Sequence, residues 1–264
     1  MTTQRAGKKP VGTVTRGTTN PNRLRRVDRY IASLPVLKTP NPVVVDLGFG
    51  ASPITAVELR ARLLKVNPKV RVVGVEIERE RVERGLAIAE PGLDFTHGGF
   101  ETPLPKGVES ATIIRAFNVL RQYDESEVAA AWQLMQSRLS SDGLLIEGTC
   151  DEIGRLSSWI TLSATEPLWF TISLRLNGLE QPSKVAERLP KALIHHNVPG
   201  ERIHDWLSAI DRAWAKNSPL STFGAIQRWL AVCEQLVSEG WPIKVDRKRW
   251  RLGEITVAWD SVKP

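Results

Sequence analysis

Four residues in the first third of the chain have the types and spacing to hold a nucleoside-bearing ligand: Asp46, Gly48, Gly50 and Glu76. The first three fall in Val43-Val44-Val45-Asp46-Leu47-Gly48-Phe49-Gly50-Ala51-Ser52-Pro53, an apolar run followed by a glycine turn. Glu76 ends a second apolar run over 70–75. Glycines let the backbone approach a ligand with no Cβ in the way. Pro53 suits the first turn of a helix, where its missing N–H costs nothing. A carboxylate at the end of the second strand is placed to accept hydrogen bonds from ribose hydroxyls. A dinucleotide fingerprint requires a third glycine where Pro53 stands, for close helix–strand packing. Asp46, just before the turn, is also poorly matched to a pyrophosphate and well matched to a cation. S-adenosylmethionine, with its sulfonium and α-amino group, meets that requirement.

The stretch from Asp46 to Gly50, with Phe49 inside the turn and Glu76 beyond it, resembles the first two motifs of the class I S-adenosylmethionine-dependent methyltransferases, of the kind found in actinobacteria. The resemblance covers about residues 40–150. It implies a Rossmann-like seven-stranded α/β sheet, mostly parallel with an antiparallel last strand, and helices on both faces. It implies S-adenosylmethionine as cofactor and methyl transfer to an acceptor, RNA or a small molecule. After the third strand the family offers an acid to the adenine amino group. Here the segment is His97-Gly98-Gly99-Phe100-Glu101, so the contact is expected from Gly99 and Phe100, by stacking, or from Glu101. After the fourth strand, in Arg115-Ala116-Phe117-Asn118-Val119-Leu120-Arg121-Gln122-Tyr123, the resemblance places Arg115 near the cofactor. Asn118, Arg121 and Tyr123 are placed at the methyl acceptor, and the arginines with Tyr123 suit an anionic substrate or a capping role. The Asn/Asp-Pro-Pro-Tyr/Phe signature of enzymes acting on adenine or cytosine amino groups is absent. Cys150 stands where cytosine-C5 RNA methyltransferases carry a thiolate, but their partner Pro-Cys motif is missing, so a buried structural thiol is expected. The alternative class is a non-catalytic protein of the same fold, or a nucleic-acid-binding module using the same sheet.

Positioning these side chains takes an alternation of strands and helices. Apolar periodicity predicts strands at 43–47, 70–75, 93–97, 111–115 and 143–148, with helices over 53–66, 78–89 and 124–139. In such a sheet, ligands bind at the carboxyl ends of the strands, beside the point where strand order reverses. An amphipathic helix is expected within 23–37, ahead of Pro40 and Pro42, and another from Asp151 to about Leu162. A strand is expected at 168–176, helices at 200–216 and 221–238, and a closing hairpin from 241–245 and 251–259. The stretch 177–240 reads as a helical insertion, and Trp206, Trp214 and Trp229 in it, with Trp241 at its edge, are expected to pack helices against the sheet.

Charge is unevenly distributed. Residues 1–30 carry eight basic side chains against Asp28 alone, which accounts for the whole net charge of +7. Residues 1–22 have few apolar side chains and are read as a disordered basic arm, with 23–264 as a single domain. Such an arm suits contact with an RNA backbone or serves only solubility. No apolar run reaches the roughly 20 residues of a membrane span. No apolar stretch follows the N-terminal charges, so no secretory signal is expected and the chain reads as cytoplasmic. Cys150 and Cys233 are not expected to pair. His195, His196 and His204 lack the spacing of a metal site, and none is assigned. The acceptor and the oligomeric state are not written in the sequence.

Overall fold

The computed structural model describes residues 9–264. Its framework is one sheet of eight strands: β1 (Val43–Leu47), β2 (Arg71–Glu76), β3 (Leu93–His97), β4 (Ala111–Phe117), β5 (Leu139–Cys150), β6 (Leu156–Leu162), β7 (Pro167–Leu174) and β8 (Glu254–Ala258). They lie in the order β3-β2-β1-β4-β5-β6-β7-β8. The first five pair in parallel, and β6, β7 and β8 each pair antiparallel to the strand before. Helices α1 (Arg25–Ser33), α2 (Ile54–Leu63), α3 (Arg79–Leu86) and α4 (Glu125–Gln136) accompany the parallel half. The later part of the chain adds α5 (Lys191–Ile194), α6 (Arg202–Lys216), α7 (Ala225–Ser238) and α8 (Arg247–Trp250). The fold is α/β and Rossmann-like.

The parallel strands read as near-continuous apolar runs because both faces of the sheet are covered. Val44, Ile113, Phe117 and Ile146 face α1 and α2, whose Val27, Ile31, Leu59 and Leu63 complete that core. Val45, Val73, Ile114 and Leu145 face α4 and the helices of residues 177–240. Trp206 and Trp229 are fully buried there and Trp214 nearly so, so the tryptophan-rich insertion is a packing layer. After β1, α2, β2, α3 and β3 run outward on one side; β4 then returns to the other side of β1. That reversal puts the carboxyl ends of β1 and β4 side by side, the place an open α/β sheet offers a ligand.

Three expectations fail: the closing hairpin keeps only an isolated bridge between Ile243 and Val257, β8 pairing with β7 instead, and two larger departures follow. Residues 151–162 form no helix: Asp151 to Arg155 make a turn and β6 follows, antiparallel to β5. Leu156-Ser157-Ser158-Trp159-Ile160-Thr161-Leu162 is rich in the aromatic and β-branched residues that suit strands. Gly154, at φ 66°, and the Asp151 side chain, which accepts the Arg155 N–H at 2.7 Å, close the turn. The sheet therefore has eight strands instead of seven, and its last three pairings, not only its last strand, are antiparallel. The second larger departure is the arm. Residues 1–8, with Arg5 and Lys8, lie outside the described residues, but 9–22 are packed against the domain and not disordered. Their side chains bury little; the segment is held through its main chain by side chains around the sheet's edge, which composition does not report. Among the described residues no helix is long and apolar enough to cross a membrane.

Candidate functional site

The glycine turn at the end of β1 has the conformation its sequence requires. Gly48 (φ 71°) and Gly50 (φ 85°) are both left-handed, where a side chain is strained. A Cβ on Gly48 would lie 2.6 Å from the Val119 side chain. The turn is tied to the end of β2, for the Gly50 N–H donates to Glu76 Oε2 at 2.9 Å. The other Glu76 oxygen accepts the N–H groups of Ile77 (2.9 Å) and Glu78 (3.2 Å) and lies 3.6 Å from Arg81 Nη1. Glu76, 2% exposed, thus braces the turn with both oxygens engaged.

Asp46 and Arg115 are the clearest departures from expectation. Arg115 is fully buried, points away from the cleft and donates to Asp46 Oδ1 (3.0 Å), to the Thr55 carbonyl (3.2 Å) and to Asp28. Asp46 Oδ2 also accepts the Thr55 hydroxyl at 2.7 Å. A guanidinium between two carboxylates thereby joins α1, β1, α2 and β4 beneath the turn. Burial pushes Asp28 up to about 6, against the pull of Arg115 and Arg62. Arg115 is a structural cation and contacts neither cavity of the cleft. Asp46 reaches the cleft with its charge already neutralised. The Phe49 ring likewise turns inward, edge-on to Phe95 at 5.4 Å between centroids.

A strap formed by residues 9–19 crosses the carboxyl edge of the sheet. The Val11 carbonyl accepts the Phe100 N–H at 2.9 Å, and the Val11 N–H donates to Glu101 Oε2 at 2.8 Å. The Tyr123 hydroxyl accepts the Thr13 N–H at 2.6 Å and donates to the Thr13 carbonyl at 3.0 Å. Arg81 donates to the Thr15 carbonyl, and Ala51 N–H to the Gly17 carbonyl at 2.8 Å. A Cβ on Gly99 would meet the Val11 carbonyl at 2.0 Å, which explains why glycine stands where a family acid is expected. Phe100 is 5% exposed and packs edge-on against Tyr123. Beneath the strap, between Glu76, Ile77, Gly99, Phe100 and Tyr123, only ≈ 20 Å³ is open. The Phe100 face and the Tyr123 hydroxyl are therefore both occupied by the chain's own N-terminal segment.

Beside the strap a cavity of ≈ 590 Å³ opens at the switch point, floored by Gly48, Gly50 and Asn118 and walled by Arg121, Arg188 and strap residues 15–19. Asn118 adopts φ 61°, and its N–H donates to the Gly148 carbonyl at 2.8 Å. Its side-chain oxygen accepts the Cys150 N–H at 3.0 Å and its amide donates to Cys150 Sγ at 3.3 Å. Burial raises the Cys150 thiol above its ordinary value, against the pull of Arg23 and of the Asn118 amide. Of the expected acceptor residues, Asn118 and Arg121 share this cavity, whereas Tyr123 belongs to the strap. The structure adds Arg188, Arg23 and Thr19. Arg188 comes from the insertion, about seventy residues away in sequence, and no local pattern marks it. His196 lies elsewhere, bonded to Glu125 at 2.6 Å.

No protein-family model matches the chain, and no curated protein matches it. Solved structures do resemble it. Human N-acetylserotonin methyltransferase in complex with SAM is 20% identical over 50% of this chain and 36% of its own, with a TM-score of 0.36. An O-methyltransferase family 2 protein from Planctomyces limnophilus in complex with apigenin is 21% identical over 50% and 40%, with a TM-score of 0.38. A structure described as a pericyclic reaction enzyme is 16% identical over 46% and 32%, with a TM-score of 0.35. The chain spans less than half the length of each of these proteins.

Proposed function

We propose that the chain binds S-adenosylmethionine at the ends of β1, β2 and β4 and transfers its methyl group to an acceptor in the 590 Å³ cavity. The observation that carries this is the left-handed Gly48–Gly50 turn, braced by Glu76 and opening directly on that cavity at the switch point. The residues suit the cofactor unequally. At the cavity end, the Cβ-free turn accommodates a methionyl group. At the strap end, Glu76 and Phe100 are positioned for a nucleoside, but strap residues 11–15 occupy its space. Binding therefore includes lifting of the strap. The bound cofactor supplies an activated methyl group with its leaving group built in. What remains for the chain is to align the acceptor and exclude water. Asn118 is the aligning side chain: it is fixed by Cys150 and Gly148 and faces the cavity.

Labelled S-adenosylmethionine offered with RNA, protein and metabolite fractions tests the proposal, alongside calorimetric titration with S-adenosylmethionine and S-adenosylhomocysteine. We expect binding of both and transfer to one fraction. Asn118→Ala should lower kcat/KM strongly while leaving cofactor affinity within about threefold. A folded protein that gives no heat with either ligand sinks the proposal. The second reading, a non-catalytic protein of this fold, is favoured by one observation: Asp46 and Glu76 are both fully engaged within the protein. A protein that binds but never transfers would support it.

A further inference from the structure

The lining of the 590 Å³ cavity is unbalanced in charge. Arg16, Arg23, Arg121 and Arg188 face two carboxylates, Asp46 and Glu152, and Asp46 is already neutralised by Arg115. Among the described residues none of the four arginines has a carboxylate within ion-pair distance. Arg23 donates to the carbonyls of Thr18, Cys150 and Asp151, so its role in the wall is largely structural. Arg121 and Arg188 differ. Arg121 Nη1 and Arg188 Nε are buried with no hydrogen-bond partner, and so is the Thr19 hydroxyl in the same wall. Buried donors left unpaired are destabilising, and native proteins keep few of them.

The two guanidiniums also oppose each other. Burial, and after it the like charge of Arg188, lower the Arg121 pKa from its ordinary value. The chain nevertheless fixes Arg188 in place, because its carbonyl accepts the hydroxyls of both Thr149 on β5 and Ser158 on β6. One carboxylate would satisfy one guanidinium. Two open forks with Arg16 at the rim call for further negative charge, and a planar fork suits both carboxylate and phosphate oxygens. The volume is that of a small-molecule pocket, about 300–1,000 Å³.

We infer that the acceptor is a small molecule bearing at least two anionic groups, of phosphate or carboxylate chemistry, bound chiefly by Arg121 and Arg188. The word acceptor rests on the methyl-transfer reading; the anion site does not. The test is calorimetric titration of the full chain with pyrophosphate and, separately, with citrate, together with S-adenosylhomocysteine. At least one of the two anions should bind. Arg121→Gln and Arg188→Gln should each weaken it about tenfold or more, with S-adenosylhomocysteine affinity within about threefold. Should a glutamine variant unfold, Arg121→Lys and Arg188→Lys, which keep the charge and lose the fork, should still weaken binding several-fold. Pyrophosphate-only binding identifies a phosphate ester, citrate-only binding a polycarboxylate. Four results overturn the inference: neither anion binds the folded protein; binding is unchanged in the variants; S-adenosylhomocysteine affinity falls with the anion's, which reassigns both arginines to the cofactor; or a single-stranded RNA binds far more tightly through the same arginines. Anion binding without S-adenosylhomocysteine binding leaves the site standing and removes the methyl-transfer reading. S-adenosylhomocysteine binding without anion binding does the reverse.

Discussion

Glu147 on β5 is fully buried, with neither carboxylate oxygen hydrogen-bonded. Burial pushes its pKa up to about 8; the nearby Trp132 indole pulls the other way without bonding to it. The folded protein therefore holds a proton that the unfolded chain releases near the ordinary carboxylate value. The sign follows from proton binding: between about pH 4.5 and 8 the native state carries the extra proton, so its stability falls as pH rises. Glu147→Gln reproduces the protonated shape without the titration. The variant should match the parent near pH 4.5 and gain on it by about 1.4 kcal/mol for each pH unit up to about pH 8. Denaturant midpoints of the two proteins at several pH values measure this, and parallel curves would remove the claim. Asn118 shows how partly the site could be read at this scale. Its place at the end of β4 is legible from the strand pattern. Its bond to Cys150 is not, because β5 supplies that partner 32 residues later.

Elements reveal where sequence patterns stop being sufficient. The parallel half of the sheet is legible because each strand is an apolar run bounded by turn residues, and β3 falls at 93–97 as expected. The stretch that forms β6 is misread because a seven-residue run lacks the length to separate strand from helix; pairing with β5 decides it. Arg115 is misread for a related reason. An arginine at a strand end near a cleft suggests a ligand contact, and only Asp28, from α1, shows that its partner is internal. The knot this makes is testable. Arg115→Met should leave Asp46 with the Thr55 hydroxyl alone and Asp28 with Arg62 alone, and destabilise the protein by about 3–5 kcal/mol. The loss should be smaller in the double variant Arg115→Met, Asp28→Asn, measured by chemical denaturation. Equal losses would mean that the pair is not what joins α1 to β4.

At the scale of the whole molecule, the basic leader and the cleft are one system. The first thirty residues hold the net charge, and part of it stands in the cavity wall, at Arg16 on the strap and at Arg23 just after it. Composition describes that segment as unable to bury apolar surface, which is correct and incomplete: Tyr123, Glu101, Arg81 and Gln122 hold it by hydrogen bonds. Tyr123→Phe removes one of these clasps without touching the arginine wall. It should speed amide exchange across residues 11–18 and tighten S-adenosylmethionine binding, by about fivefold for each of the two lost bonds if each contributes about 1 kcal/mol. Lower cofactor affinity in that variant would return Tyr123 to the ligand. If the strap occupies the proposed cofactor space, it competes as a tethered group, at the same effective concentration however dilute the protein. If it must leave first, the observed on-rate for the cofactor will level off at the strap's release rate as ligand is raised, instead of climbing linearly. The apparent affinity will be weaker than the intrinsic one by the fraction of open molecules, so a partner that seized residues 9–19 would sensitise the protein to its ligand from outside the cleft.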